Sequence, residues 1–387
     1  MGLQIWKLLE IESREIMKKK ELLNLILSKI IEFFYKRAEF KKIKENRRKK
    51  IYEKISLSDV EKNEIDKFYL ENYGKKIPYE WHRLYKSYTG KFDEKYFPEF
   101  LYIPDFEKKV NPAYYAKVFE DKEIVSFLCQ GTDIKYPHVL CYCINGILLD
   151  NNYKIISFEE IKKKLEEQKL FIKPRVDTSS GEGCQVIEIK NGVNIKTNQK
   201  VEDLLKEYQN NFLIQECLKN HKVLADLHPE SINTFRVMTY VWNGEVKCCP
   251  IILRIGQGRK NVDNAHAGGM FIGVKENGQL CREAYTEFQT RYLEHPDTKI
   301  KFEEYYIPQI KKIEEAAKKL HSKILQVGII SWDLTLDENE NVVMIEANIR
   351  NGSIWLIQMA HGCGIFREDT AGILRFISEK KIISREI

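Results

Sequence analysis

Between Gly328 and Gly352 the chain reads GIISWDLTLDENENVVMIEANIRNG, two β-rich runs joined by the polar pentapeptide DENEN at 337–341. That pattern signals a hairpin. With the antiparallel pairing centred between Asn339 and Glu340, facing residues have numbers that sum to 679, so Asp333 stands across from Glu346. Asn348 lies two residues beyond Glu346, and the strand period of two puts it on the same sheet face. Three oxygen donors, two of them anionic, then converge on one patch. Hard oxygen donors at that density suit Mg²⁺, which keeps several waters and is completed by substrate phosphates. The plainer alternative is that both acids decorate a solvated face. Against it, Ile329, Ile330, Leu334, Leu336, Val343 and Ile345 make the strands apolar on both sides of the acids, as in a pocket wall.

A second constellation is FIKPRVDTSSGEGCQVI at 171–187. A strand ends at Lys173, a small polar loop follows (Ser179, Ser180, Gly181, Gly183), and another strand begins. Glycines let backbone N–H groups approach an anion, and a lysine at a strand end offers a point charge to phosphate. A flexible hairpin turn accounts for the loop equally well, and the GxxxxGK[ST] pattern of a Walker loop is absent. The third is NFLIQECL at 211–218, an apolar strand whose end (Gln215, Glu216, Cys217, Leu218) can present backbone groups to an adenine edge. The fourth is EDKEIVSFLCQG, where Asp121 reads as a helix cap and Lys122 sits in the first turn, opposing the helix dipole.

Arg236, Arg254 and Arg259 lie in or just after strands. Each reads as a structural ion pair or, for Arg254 first and Arg236 second, as a clamp on a transferring phosphoryl group. Asn264, His266, Gly268 and Gly269 form a small-residue turn that a substrate could approach closely, and His266 reads equally as a satisfied loop histidine.

Outward from these motifs, strands are expected at CYCINGILL, LFIKPRV, CQVIEI, NFLIQECL, INTFRVMTYVW, VKCCPIILRIG, GMFIGV and the two runs of the hairpin. Helices are expected at DKEIVSFLCQ, SFEEIKKKLEEQ, VEDLLKEYQ, 303–325 and 366–380. Strand follows strand often, so a largely antiparallel α+β body fits better than a doubly wound parallel sheet. No GxGxxG opens a βαβ unit. Residues 58–118 are rich in aromatics and broken by Pro78, Pro98, Pro104 and Pro112, as in short helices packing on a larger body.

Of 387 residues, 43% are hydrophobic and 31% charged, a globular balance. The net charge of +6 is uneven: residues 1–54 hold sixteen Lys/Arg and eight Asp/Glu, leaving −2 for the rest. A nucleic-acid binder would carry its basic stripe on the folded body, which this distribution argues against. Residues 1–54 read as Lys-rich helix, either packed on the body with a solvated basic end or lying on anionic lipid. The start has acids inside its apolar stretch and no small-residue cleavage site, so a secretory signal is not expected. Nine cysteines without a CxxC pair read as reduced thiols of a cytoplasmic protein.

The order of these motifs resembles the ATP-grasp superfamily, through the opening at Lys122, the Lys173 strand and loop, the IQECL hinge and WDLTLDENENVVMIEAN. YEWHRLYKSYTGKFDEKY, HPESINTFRVMTY and VDNAHAGGMFIGV resemble its sugar-transfer-associated branch, and the likeness runs over roughly 55–380. The resemblance implies two α+β subdomains gripping ATP: a basic helical extension (1–54), a helical aromatic region (55–118), a lid subdomain (119–222) and a catalytic core subdomain (223–387). It implies an ADP-forming ligase that activates a carboxylate as an acyl phosphate for an amine or hydroxyl, in surface-polysaccharide assembly. Lys122 and Lys173 would bind phosphates, Ser179–Gly183 form the lid loop, and Gln215–Leu218 hold adenine, with Glu216 nearest its amino group. Asp333, Glu346 and Asn348 would ligate Mg²⁺, and Asp226 or Glu230 would hold ribose. Where many members continue with a Pro-Gly turn, this chain has Ile349–Arg350–Asn351–Gly352. Two other readings stay open: a nucleotide-binding adaptor for glycosyltransferases at the membrane, and a simple phosphotransferase.

Overall fold

The computed structural model describes residues 22–23, 26–176, 182–258 and 268–379. Two antiparallel sheets carry the fold. The smaller comprises β1 (Val139–Ile144), β2 (Ile147–Asp150), β3 (Lys169–Pro174), β4 (Gln185–Lys190), β5 (Val193–Asn194), β6 (Gln199–Lys200) and β7 (Asn211–Glu216), in the order β2-β1-β7-β3-β4-β5-β6. The stretch CYCINGILL, expected as one strand, is a hairpin. Asn145 and Gly146 both take positive φ (50° and 81°), the two-residue turn that an Asn-Gly pair favours. Two helices, Phe158–Leu165 and Val201–Glu207, close one face over Ile172, Ile187, Phe212 and Ile214. The first starts on a capping box in which the Ser157 hydroxyl accepts from the Glu160 N–H and Glu160 reaches back to the Ser157 N–H.

The larger sheet holds β8 (Thr234–Trp242), β9 (Glu245–Cys248), β10 (Ile251–Ile255), β11 (Met270–Val274), β12 (Leu280–Tyr285), β13 (Arg291–Tyr292), β14 (Ile329–Leu336) and β15 (Val342–Asn348). Its order is β13-β12-β11-β10-β8-β14-β15, with β9 paired to β8. The run VKCCPIILRIG, expected as one strand, is two, parted at Cys249–Pro250 where proline offers no ladder donor. The expected helices at 303–325 and 366–380 shorten to Ile310–His321 and Thr370–Ser378.

The strand period of two sorts the faces. Phe235, Val237, Leu253, Ile255, Ile330, Trp332 and Leu334 point to one side and bury against helix Ile310–His321. Met238, Tyr240, Ile252 and Ile329 point to the other, under the aromatic N-terminal region (Trp81, Tyr85, Tyr96, Phe97) and helix Trp355–His361. Arg236, Arg254 and Asp333 lie on this second face by the same parity, at the end where the apolar packing stops. That is where the cavity opens.

The N-terminal region stitches itself to the hairpin base through buried polar groups. Asn111 takes N–H groups from Gly328 and Ile329 (2.9 and 3.0 Å) and donates to the carbonyls of Ile329 and Ile349 (2.8 and 2.6 Å). Glu107 accepts from the Asn351 N–H (2.8 Å) and Glu99 from the Ile354 N–H (2.8 Å). Burial pushes the Glu107 carboxyl up to about 8, against the backbone N–H donors of Asn351 and Gly352. All nine cysteines are free thiols. Among the described residues no helix is long and apolar enough to cross a membrane.

Candidate active site

The hairpin pairs Asp333 with Glu346 and Ser331 with Asn348, as the sum of 679 requires. Toward the turn the register changes: Leu334 faces Met344 and Leu336 faces Val342, a sum of 678. A bulge at Ile345 makes the difference. It is one extra residue in β15, and without it the 678 register would put Ile345 opposite Asp333 and turn Glu346 to the other face. The bulge also sends Ile345 to the cavity wall.

Asp333 is buried and held between two arginines. Its Oδ2 lies 3.2 Å from an Arg236 terminal nitrogen and 3.1 Å from Arg254, whose guanidinium also donates to the Thr234 hydroxyl (2.9 and 2.6 Å). Arg236 sits across the ladder from Asp333. Burial lowers the Arg236 pKa, and Asp333 is the first group opposing that. Arg236 Nε approaches Asp333 Oδ1 to 2.7 Å but off the line of a hydrogen bond, so this buried oxygen keeps lone-pair capacity. Asn348 Nδ2 is 3.5 Å from Asp333 Oδ2. Among the described residues no three His, Cys, Asp or Glu side chains gather for a metal. Two carboxylates and an amide fit a hard cation that takes its remaining donors from phosphate and water.

Both lysines face this hairpin. Lys122 opens a short helix, Lys122–Ser126, whose cap is Asp121 accepting from the Glu123 N–H (3.0 Å). Its Nζ is 3.5 Å from Glu346 Oε1. Lys173, on β3, is buried with its Nζ 5.5 Å from the Tyr136 ring centroid. Burial brings its pKa down to about 8; Glu346 opposes the fall and Lys122 adds to it. A phosphate held at Lys173 would favour the charged form, so its binding would be at full strength below that pKa and weaken above it. Nucleotide affinity should therefore decline as pH rises through about 8, at most tenfold per unit. Titration calorimetry from pH 7 to pH 10 tests this, and Lys173→Arg should flatten the curve because guanidinium stays charged. An identical slope in that variant would assign the titration elsewhere.

These groups line one cavity of about 1370 Å³. Lys169, Phe171 and Lys173 alternate along β3 into it, with Cys184 and Val186 beside them. The IQECL strand supplies the back wall: Gln215 is buried with an unpartnered Oε1, and Cys217 and Leu218 follow. The Glu216 N–H is spent on the His138 carbonyl (3.0 Å), and its exposed carboxylate lies 3.2 Å from His138 Nδ1. Glu230 lines the cavity, whereas Asp226 is not among the lining residues and pairs with Lys222 at 2.6 Å.

Gly183 lies beside the lining residue Cys184 with φ of 71°, and a Cβ there would meet Pro174 at 2.8 Å. Gly268 and Gly269 precede β11 and are not cavity-lining. Ser179, Ser180, Gly181, Arg259, Asn264 and His266 lie outside the described residues. Sequence reading missed Lys169 and Phe171, although counting back by two from Lys173 would have found both. It also missed Lys42, Arg48, Glu287, Phe288 and Trp355, which line the far end of the cavity from segments distant in the chain.

The profile of a family described as sugar-transfer associated ATP-grasp matches residues 103–372. No curated protein matches this chain. Similar solved structures include an L-amino acid ligase from Bacillus licheniformis, 12% identical over 66% of this chain and 48% of that one, TM-score 0.37. Others are the VanG D-Ala:D-Ser ligase from Enterococcus faecalis (13%, 68% and 62%, 0.40) and the N5-carboxyaminoimidazole ribonucleotide synthetase from Thermotoga maritima (12%, 63% and 45%, 0.35). The chain thus spans about half to three-fifths of these relatives' length.

Proposed function

The chain belongs to the sugar-transfer associated ATP-grasp family, and on that premise we propose that it is an ATP-dependent, ADP-forming ligase. It activates a carboxylate as an acyl phosphate for attack by an amine or hydroxyl, in building or decorating a cell-surface polysaccharide precursor. The observation that carries this reading is the meeting of Lys122, Lys173, Arg236, Arg254, Asp333 and Glu346 in one cavity wall. Lys122 and Lys173 take the phosphates, and Gln215–Leu218 take adenine. Asp333, Glu346 and Asn348 would hold Mg²⁺, which when bound neutralises phosphate-oxygen charge. The substrate carboxylate oxygen forms a bond to the γ-phosphorus as the bridging bond to ADP breaks. Arg254 and Arg236 offset the charge that gathers there, in a site where little water screens it. The amine then bonds to the acyl carbon, phosphate departs, and the amine's proton leaves to water. ADP release in the presence of Mg²⁺, a carboxylate and an amine tests the reading, with Glu346→Gln as the inactive control. A stable phosphorylated product without amide or ester would replace the ligase by a phosphotransferase.

The same reading includes a peripheral membrane contact through the N-terminal extension. The helix over 26–43 packs on the body with its polar side: Glu39 and Ile43 are buried, Lys36 meets Asp105 at 3.0 Å, and Lys108 donates to the Ser28 hydroxyl at 3.2 Å. Its opposite side exposes Ile26, Leu27, Ile30, Ile31 and Phe34, each 45–60% accessible, and continues into Arg37, Lys41 and Lys44. An apolar stripe running into cations complements an anionic bilayer in both halves. A two-fold pairing of copies would set cations on apolar surface or on each other. Full-length protein should float with phosphatidylglycerol-rich vesicles. Ile30→Glu with Phe34→Glu should cut that binding by about tenfold or more, given the apolar burial lost. Flotation unchanged by the pair would remove the contact from this face.

A further inference from the structure

The cavity is larger than the roughly 300–1,000 Å³ that one ligand of nucleotide size occupies. The excess lies beyond Asp333. The wall passes from β14 across Arg236 on β8 to Ile252 on β10, which face each other in the ladder, and on to Glu287 and Phe288 after β12. Trp355 closes it from the helix that follows the Asn348 loop. Lys42, Glu45 and Arg48, at the junction of the 26–43 helix with the helix Asn46–Tyr52, close the remaining side.

The two ends differ in charge. Around the nucleotide end stand seven cations (Lys122, Lys169, Lys173, Lys196, Lys219, Arg236, Arg254) and four carboxylates (Glu216, Glu230, Asp333, Glu346), a surplus suited to a polyphosphate. The far end has three of each, already matched to one another or to a buried acid. Arg48 pairs with Glu45 and with Glu287 (2.5 Å), Arg350 grips Glu120 through two nitrogens (2.7 and 2.8 Å), and Lys42 meets buried Glu39 (2.6 Å). The Arg48 guanidinium is fixed 4.8 Å from the Trp355 ring and 5.4 Å from Phe288, with Arg47 stacked on Phe288 at 3.7 Å. The result is a rigid ring of donors and acceptors with no surplus of positive charge, over an apolar floor.

Resting on the ligase reading, we propose that this far chamber is the acceptor subsite and that it takes an uncharged sugar ring, not a sugar nucleotide. Hydroxyl groups both donate and accept, so they satisfy paired arginine and carboxylate without needing a surplus of either. A diphosphate would find every cation here already engaged by an acid. The N-terminal extension therefore supplies a wall of the acceptor site as well as a surface turned outward.

The test uses the full chain with Mg²⁺ and a non-hydrolysable ATP analogue. Saturation-transfer NMR follows methyl 2-acetamido-2-deoxyglucoside, with uridine diphosphate glucose and malonate as anionic counter-probes. The glycoside should bind, and both Arg48→Gln and Glu287→Gln should weaken it about tenfold while analogue affinity stays within about twofold. Two variants from different segments guard against a local folding defect, read by thermal melting. Binding of malonate or the sugar nucleotide that Arg48→Gln abolishes, with no glycoside binding, would overturn the proposal by making the chamber an anion site. No binding of any probe would overturn it too. Failure of the wild-type chain to bind the ATP analogue would instead sink the ligase reading, while glycoside binding would still report on the chamber.

Discussion

Replacing Glu346 with glutamine should lower ADP formation by about 10²-fold or more, the scale of removing one preorganised charge from a reacting site, and should leave the fold intact. Glu346 is the clean place to test whether the hairpin faces a metal. Its side chain is one-third exposed and its near partner is Lys122 at 3.5 Å, so an amide of the same shape costs the protein little. What it costs the site is half of the anionic donor set. Calorimetry should show the same variant losing the gain in ATP affinity that Mg²⁺ confers, while ATP without Mg²⁺ binds as in the wild type. If ADP formation and the Mg²⁺ dependence both survive, the hairpin does not face the reacting phosphate.

Asp333→Asn would not discriminate in the same way. The residue is buried between Arg236 and Arg254, and removing its charge takes the shared carboxylate from both guanidinium groups. Breaking a buried ion pair by deleting one partner costs about 3–5 kcal/mol, so lost activity there would mix chemistry with unfolding. The two acids of the hairpin face one another, yet their surroundings give them different mutational meanings.

How much of this could be read from the chain follows from the range of the interactions. Asp333, Glu346 and Asn348 were legible because a two-residue period is local, and pairing across a short turn leaves few registers open. The Ile345 bulge was not, since it depends on how β15 meets its neighbours. Asn145–Gly146 carried a turn signal that the apolar residues around it outweighed in a single-strand reading. LCREAY (280–285) was passed over because its alternation is broken by Cys281 and by exposed Arg282. The far chamber draws on residues near 45, 287 and 355, and nothing local ties these together. The 26–43 helix shows the limit most plainly: its apolar stripe has the periodicity of a core-facing side, but Lys36 has its partner Asp105 on the body and Glu39 is buried, so the helix turns the Lys36–Glu39 side inward.

The largest effect on stability should come from Asn111, far from any charge that acts on substrate. One amide side chain satisfies the N–H groups of Gly328 and Ile329 and the carbonyls of Ile329 and Ile349, at 2.6–3.0 Å and out of contact with solvent. Gly328 N–H has a second acceptor in the Val110 carbonyl, so Asn111→Leu would leave three backbone groups without this partner. At about 1–3 kcal/mol for each buried group left unpaired, the loss is about 3 kcal/mol or more, lowering Tm by roughly 4 °C or more in a chain of this length. The effect should reach the site, because Ile329 and Ile349 are the residues where the hairpin leaves the body, and Asn348 hangs from the second of them. Thermal melting gives the stability loss, and hydrogen exchange should find protection falling first at 328–331 and 347–351. A leucine variant as stable as the wild type would mean that water replaces all three bonds, and that the hairpin base is wetter than its packing under Tyr102 and Phe106 implies.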